Sequence, residues 1–210
     1  QIDELLSYVR TNYLQQFNQS NIQARGFDTI TELQRAYNKM IIPISSKEQE
    51  YINGELAAFY GKLDAQIASK LNKYYPVEKV KIAKGAEFLE GKMPHTHADI
   101  IIMNEAWFNK FSGTTYVHEL MHIIQRNKSE LGFNDLYSRW GFVQTTVIPG
   151  LEQEFIKTRI NPDGLDLGWV WLDNANGIYY WISAVFNSIN PDSIHDAKLL
   201  AYPVTNTAGN

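Results

Sequence analysis

The chain has 210 residues, a formal net charge of −4 and 44% apolar residues, which are the proportions of an ordinary globular protein. This length predicts a single domain with a buried core, and the lack of a basic stripe argues against nucleic acid as a partner. No apolar run approaches the ~18 residues that a membrane span needs. Because the chain has no cysteine, disulfides and thiolate metal sites are excluded, and His, Asp and Glu remain as metal ligands.

The first 75 residues are predicted to be helical. Apolar residues recur at helical spacing from Ile2 to Phe17. Thr29–Glu32 has the pattern of a capping box, which opens a second helix that reaches about Met40. A second box, Ser45–Glu48, opens a third and long helix that ends before Pro76. We expect these helices to form the scaffold.

From Pro76 onward the apolar pattern changes to the alternation of β-strands. Val77, Val80 and Ile82 indicate a first strand, and Ala98–Met103 indicates a second one. This second strand precedes a further helical stretch by about a dozen residues. The pattern therefore predicts a small sheet next to that helix.

Residues 128–210 are predicted to be rich in strands, after one short helix at Phe133–Trp140. Turn sequences at 160–164 and 174–177 separate short aromatic and β-branched segments. This spacing predicts a β-meander over residues 152–186. Lys198–Val204 is a further predicted strand.

The most specific pattern is His118–His122, which reads HELMH and lies in the helical stretch between the two β-rich regions. On a helix, residues four apart lie on the same face, so both imidazoles can converge on one tetrahedral zinc ion. Glu119 points off the ligand axis, from where its carboxylate can accept a proton from a water molecule. Val117, Met121 and Ile124 predict a separate apolar stripe that is buried.

Over roughly Thr114–Arg126 the chain resembles the zincin metallopeptidases, whose signature is HExxH on an active-site helix. The resemblance implies that both motif histidines bind zinc and that Glu119 is the general base. The chain differs from the metzincins, because Gln125 and Lys128 stand where that group has its glycine and third histidine. The downstream NExxSD pattern of thermolysin-type enzymes and the GTxD pattern of aspzincins are also missing.

The zincin resemblance also implies a place for the substrate. In zincins the strand before the active-site helix forms the edge of the sheet, and an extended peptide can add to such an edge by main-chain pairing. We therefore expect Thr96–Met103 to line the substrate groove, with His97, Ile100 and Tyr180 as substrate contacts. The donor that stabilises the oxyanion is left open among Arg159, Tyr179, Tyr180 and His195.

A catalytic zinc site needs a third protein ligand besides His118 and His122. Glu154 is the first choice, because its separation from the motif suits a zincin with a glutamate ligand, which would make the site gluzincin-like. Asp163 lies in an Asn-Pro-Asp-Gly turn that needs no metal to explain it, and His195 is a lone histidine, so both are alternatives.

Together these patterns predict an α+β, zincin-like fold in one domain over residues 1–210. Helices occupy 1–75, a small sheet with an edge strand and the active-site helix occupy 76–127, and a β-rich part with a meander occupies 128–210. The lack of cysteine and the start at Gln1 lead us to expect a secreted or periplasmic protein. The oligomeric state is left open.

The expected function is that of a zinc metalloendopeptidase acting on a peptide or protein substrate, with Zn²⁺ as cofactor and Glu119 as general base. One alternative is a non-proteolytic zinc-binding module on a zincin scaffold. Another is an interaction protein in which HExxH binds no metal. An intact glutamate at position 119 favours the peptidase, since a module that needed only the metal would tolerate glutamine there.

Overall fold

The structure is a computed structural model that describes residues 2–127, 131–145, 152–163 and 169–204. These residues have the mixed α+β architecture that the sequence predicted, with two small four-stranded sheets. The chain divides into two compact units. Unit 1 contains Gln1–Gln15 and Leu33–Lys128, and unit 2 contains Gln16–Glu32 and Ser129–Asn210. Within the described ranges, no helix has both the length and the apolar character needed to cross a membrane.

Helices begin where side chains satisfy free backbone N–H groups. The hydroxyl of Ser45 accepts a hydrogen bond from the Glu48 backbone, and the Glu48 carboxylate accepts one from the Ser45 backbone, as predicted for a capping box. Thr29 and Glu32 make the same reciprocal pair. The α-helices of the described residues are α1 Ile2–Tyr8, α2 Gln19–Gln23, α3 Ile30–Tyr37, α4 Ser46–Lys62, α5 Ala65–Tyr74, α6 Glu105–Asn109, α7 Gly113–Asn127, α8 Phe133–Arg139 and α9 Glu152–Phe155.

Two predicted helices are divided in the structure. After α1 the chain continues as a π-helical turn, Val9–Tyr13, and a 3-10 turn, Leu14–Gln16. The long third helix is in fact α4 and α5, because the backbone at Leu63 is extended, with φ −69° and ψ 147°. Asp64 then caps α5 by accepting hydrogen bonds from two backbone N–H groups. The apolar periodicity continues across this break, so periodicity alone missed it.

Unit 1 contains a sheet in the order β1-β2-β4-β3, which we call the mixed sheet. Its strands are β1 Ile41–Ile42, β2 Lys81–Gly85, β3 His95–His97 and β4 Ile100–Met103. β2 and β4 are parallel, while β1 and β3 run antiparallel to their neighbours. Helix α7 packs against β3 and β4.

The predicted edge strand is folded into a hairpin. β4 pairs with β2 on one side and with β3 on the other, so the prediction that all of Thr96–Met103 forms an edge is wrong. Of the predicted segment, only β3 is an end strand of the mixed sheet, whose other end among the described residues is β1. The cause is Ala98, whose left-handed φ of 52° lets the chain reverse at Ala98–Asp99.

Unit 2 contains an antiparallel sheet in the order β5-β6-β7-β8, which we call the meander sheet. Its strands are β5 Phe142–Gln144, β6 Trp169–Asp173, β7 Ile178–Phe186 and β8 Ala197–Val204. Val170, Trp181 and Val185 form its buried core. The predicted meander is confirmed between β6 and β7, but Glu152–Phe155 is the short helix α9 rather than a strand. Residues 164–168, which include part of the predicted segment 165–172, lie outside the described residues.

Candidate metal centre

Helix α7 places the HExxH motif on the mixed sheet of unit 1. Its core face is formed by Tyr116, Leu120 and Ile123, whose side chains have no exposed surface. The predicted apolar stripe is confirmed only at Ile124, which is 3% exposed, because Val117 and Met121 are half-buried and lie beside the core face. The burial of Tyr116 could not be predicted from the sequence, because a buried tyrosine hydroxyl needs a hydrogen-bond partner that the sequence does not identify.

An aromatic cluster supplies that partner and fixes the start of α7. The hydroxyls of Tyr116 and Tyr60 are 3.0 Å apart, and the Tyr116 ring lies edge-on to Phe59 with 5.9 Å between centroids. Burial raises the pKa of the Tyr116 phenol far above its usual range. A Cβ at Gly113 would lie 2.6 Å from the Phe59 ring, so glycine is needed for this close approach. The cluster therefore anchors α7 just before His118.

The two motif histidines meet as predicted. Their Nε2 atoms are 3.1 Å apart, and the rings are nearly perpendicular, at 86°, with 4.7 Å between centroids. A tetrahedral zinc ion with Zn–N bonds of ~2.0–2.1 Å separates two nitrogen ligands by about 3.3 Å. The observed separation fits a shared metal ion. His118 is exposed and His122 is half-buried, so a metal ion can reach them from solvent.

Glu119 lies on the inner side of the motif. Its side chain is 3% exposed, and one carboxylate oxygen lies within 4.8 Å of a ring nitrogen of His122. The carboxylate is thus close to the histidine pair and largely removed from bulk water. Such a position suits a group that accepts a proton from a water molecule beside the histidines.

All three candidates for the third ligand lie in unit 2. Glu154 belongs to helix α9, and His195 belongs to a 3-10 turn with its own capping box. Asp163 lies in a turn in which its backbone N–H donates to the Asn161 side chain, 3.2 Å away. The choice among the three ligands stays a prediction from the sequence. The four candidate oxyanion donors, Arg159, Tyr179, Tyr180 and His195, also belong to unit 2.

A buried polar clamp in unit 2 fixes the segment that precedes Asp163. Asn21, with 0% exposure, donates to the Thr158 carbonyl at 2.9 Å and accepts from the Ile160 N–H at 2.8 Å. Arg25 donates to the Ile160 carbonyl at 3.0 Å. The sequence held no signal for this clamp, because its partners are more than a hundred residues apart in the chain.

A second histidine pair in unit 1 has very different surroundings. His95 and His97 lie on the same face of β3 and are 2% and 1% exposed. Their rings are at 82° with 5.1 Å between centroids, and the His97 ring also packs on Tyr13 at 4.9 Å. The His95 Nδ1 lies 3.0 Å from the Met93 carbonyl, so Nδ1 is the nitrogen that donates its hydrogen.

A buried carboxylate holds Tyr13, the residue that packs on His97. Glu90 is 1% exposed and accepts hydrogen bonds from the hydroxyls of Tyr13, at 2.9 Å, and Tyr37, at 2.5 Å. Its backbone is left-handed, with φ 44°, and so is that of Lys92, with φ 67°. Two non-glycine residues in this conformation show that tertiary contacts dictate the loop before β3.

The predicted substrate contacts are placed in different surroundings. His97 is buried as described, Ile100 is half-buried in β4, and Tyr180 is half-buried in β7. A substrate contact through His97 would require its ring to leave the packing against Tyr13. All three assignments stay predictions.

No family model, curated protein or solved structure matches the chain. The interpretation of the site therefore depends on the motif and on the geometry of its own residues.

Proposed function

We propose that the chain is a zinc metalloendopeptidase in which His118 and His122 bind the metal. The observation that supports this most is the approach of the two Nε2 atoms to 3.1 Å on one helix face. A metal ion held by both Nε2 atoms would account for this approach, since two tetrahedral nitrogen ligands of zinc lie at about this separation. When bound, zinc would supply a water molecule with a pKa lowered to about 7. The peptide substrate and a secreted or periplasmic location are part of this proposal.

The side chains of the motif have separate roles in this reaction. His118 and His122 would hold the metal ion through their Nε2 atoms, and the ion would supply the nucleophilic water. Glu119 accepts the proton from that water and later donates it to the leaving amine. Its burial keeps the proton transfer away from bulk solvent, where competing hydrogen bonds would weaken it. The core face of α7 gives all three residues a rigid support.

Metal analysis combined with an activity assay tests the proposal. Protein purified without added metal is expected to contain about one zinc per chain and to cleave an unstructured protein substrate. His118→Ala and His122→Ala should each lose most of this zinc. Zinc without cleavage in the wild-type protein would favour the non-proteolytic module. Stoichiometric zinc in both single variants would show that the motif is not the metal site.

The third ligand has its own test. Glu154→Ala, Asp163→Ala and His195→Ala are compared by their zinc dissociation constants. Because Glu154 is the first choice, its variant is expected to weaken zinc binding far more than the other two. Normal zinc binding by Glu154→Ala, together with weak binding by one of the others, would overturn this ranking and leave His118 and His122 assigned.

A further inference from the structure

We infer that one face of the meander sheet in unit 2 binds a neutral, linear oligosaccharide, whose sugar rings stack on a row of aromatic side chains. The row consists of Phe142, Trp171, Tyr180 and Pro203, and we call it the aromatic row. Binding at this row is independent of the proposed peptidase reaction.

The register of the strands forms the aromatic row. Trp171 of β6 pairs with Phe142 of β5 on one side and with Tyr180 of β7 on the other. Tyr180 in turn pairs with Pro203 of β8. Directly paired residues lie on the same face of a sheet, so the row crosses all four strands and spans about 14 Å.

Burial distinguishes the two faces of the sheet at this level. Val170 and Trp181 are 6% and 1% exposed, and they belong to the opposite face because neighbouring residues of a strand point to opposite sides. The three aromatic residues of the row are half-buried, and Pro203 is exposed. The aromatic row therefore lies on the face that a ligand can reach from solvent.

Trp171 is held in place by its neighbours. Its Nε1 donates a hydrogen bond to the Trp140 carbonyl at 3.0 Å, which satisfies the polar atom of the indole. Gly141 has φ 87°, and a Cβ there would lie 3.2 Å from the same Nε1. The rings of Trp171 and Tyr180 lie side by side, with 6.3 Å between centroids and 38° between planes. Rings that are fixed before a ligand arrives lose little conformational entropy on binding.

The charge of this face favours a neutral ligand. The aromatic row has no charged residue, and the residues beside it on the same face, Gln144, Trp169, Ile182 and Ala201, are uncharged as well. In the sequence of unit 2, acidic residues outnumber basic ones. Nucleic acids and other polyanions need basic side chains to neutralise them, so this surface does not suit them.

Sugar rings have the chemistry that such a surface can bind. A pyranose with equatorial hydroxyls presents C–H groups on its faces, and their partly positive hydrogens are attracted to the electron-rich face of an aromatic ring. The hydroxyls at the rim of the sugar can bond to the Tyr180 hydroxyl and the Gln144 amide. In a β-1,4-linked chain of glucose units the rings form a flat ribbon, which suits a row that crosses a sheet.

The patch is too small to hold a second copy of the chain. By strand spacing and rise per residue, the aromatic row and the residues beside it cover roughly 200 Å². A stable protein–protein contact buries about 800 Å² on each partner. A ligand of a few sugar rings fits the available surface better.

Calorimetric titration of the full chain with cellotetraose tests the inference. The wild type is expected to bind, and Trp171→Leu, which keeps apolar bulk but removes the ring, should lower the affinity by at least about tenfold. Trp171→Phe keeps a ring and should stay within about threefold of wild type. β-1,4-Galactotetraose, whose axial hydroxyls interrupt the C–H face, should bind about tenfold more weakly than cellotetraose. Tyr74→Ala, which removes a half-buried ring of α5 in unit 1, is the control and should have no effect.

Several outcomes would overturn the inference. These are a wild type that does not bind cellotetraose, equal affinities of Trp171→Leu and Trp171→Phe, and equal affinities for the two sugars. Binding of a proline-rich peptide in place of cellotetraose would assign the row to peptide recognition instead. A dimer in sedimentation that Trp171→Leu abolishes would show that a second copy occupies the face. Urea unfolding checks each variant, and if Trp171→Leu does not fold, Phe142→Leu and Phe142→Tyr make the same comparison.

Discussion

In each of the two histidine pairs of unit 1, both side chains lie on the same face of one helix or strand, but the two pairs have opposite surroundings. His118 and His122 lie on one face of a helix at the surface, and their Nε2 atoms approach each other. His95 and His97 lie on one face of a strand, are buried and pack against each other, and His97 also packs on Tyr13. Spacing alone determines that two side chains share a face, whereas burial determines whether an imidazole nitrogen is accessible to a metal ion.

The largest effect on hydrolysis is expected from a change at Glu119, the buried carboxylate that lies between His118 and His122 in the motif. Glu119→Gln keeps the size of the side chain but cannot accept a proton, so hydrolysis should fall about 10²–10⁴-fold with zinc content unchanged. Steady-state kinetics and elemental analysis measure the two quantities. Glu50→Gln, at an exposed position of α4, is the matched control. Hydrolysis at the wild-type rate by Glu119→Gln would mean that another group is the base.

Alanine variants of the four histidines test the comparison directly. His118→Ala and His122→Ala should weaken zinc binding by more than the about 10–100-fold that is typical of residues that only support a ligand. His95→Ala and His97→Ala should leave zinc affinity near the wild-type value and lower the free energy of unfolding by about 1–3 kcal/mol. Calorimetric titration and urea unfolding separate the two effects. If the variants of His95 and His97 lost zinc and those of His118 and His122 retained it, the assignment of the two pairs would be reversed.

The support beneath the buried pair should have a smaller effect, on stability alone. Tyr37→Phe removes one of the two hydroxyl donors to Glu90, and a typical hydrogen bond contributes about 0.5–1.5 kcal/mol to the free energy of unfolding. The expected loss lies in that range, and the double variant with Tyr13→Phe should lose more. Urea unfolding measures both variants. An unchanged free energy of unfolding would show that the buried carboxylate does not need its tyrosine donors.

The smallest effect is expected from the ion pair between Lys84 and Glu48, to which no histidine contributes. The hydrogen bond from Lys84, helped by Ser45, lowers the pKa of Glu48 from 4.5 to about 2. Because the folded-state pKa is the lower one, the stabilisation is fully present above pH 4.5 and is lost as the pH falls towards 2. The difference in urea midpoint between wild type and Glu48→Gln should shrink across that interval. This interval lies below the ~6.5 at which histidines ordinarily titrate, so the experiment separates the carboxylate from both pairs.

A difference in urea midpoint that stays constant with pH would show that the Glu48 carboxylate titrates alike in the folded and unfolded chain. A titration of the Glu48 carboxyl carbon by NMR checks the same shift without unfolding the protein. A pKa of Glu48 near its ordinary value in that titration would show that the ion pair does not make stability depend on pH.

The features that could be predicted from the sequence are those with a local physical cause. Both capping boxes were predictable because donor and acceptor lie three residues apart. The HExxH helix was predictable because helix spacing alone brings His118 and His122 together. Strands β6 and β7 were predictable because they are neighbours in sequence separated by turn residues, whereas β5, which was not predicted, pairs with β6 across α9.

The features that were missed depend on contacts between distant parts of the chain. The hairpin at Ala98 needs a left-handed alanine, which tertiary contacts and not propensity permit. The buried face of α7 includes Tyr116 because Tyr60, in another helix, supplies a partner for its hydroxyl. Tyr13, some eighty residues earlier in the chain, packs on His97, and His97 packs on His95. The apolar periodicity of a segment does not identify contact partners that lie far away in the chain.

The two sheets also differ in how far apart in the chain their paired strands lie. In the mixed sheet, Ile41 pairs with Gly85, and β2 pairs with β4 across the intervening β3. In the meander sheet each strand pairs only with its neighbours in sequence. Distant pairings require larger loops to close and form more slowly, so the meander sheet is expected to fold first. Helix α7 packs on the mixed sheet. During synthesis and refolding, therefore, the histidine pair would acquire its rigid support late, and zinc capture is expected to be among the last events of folding.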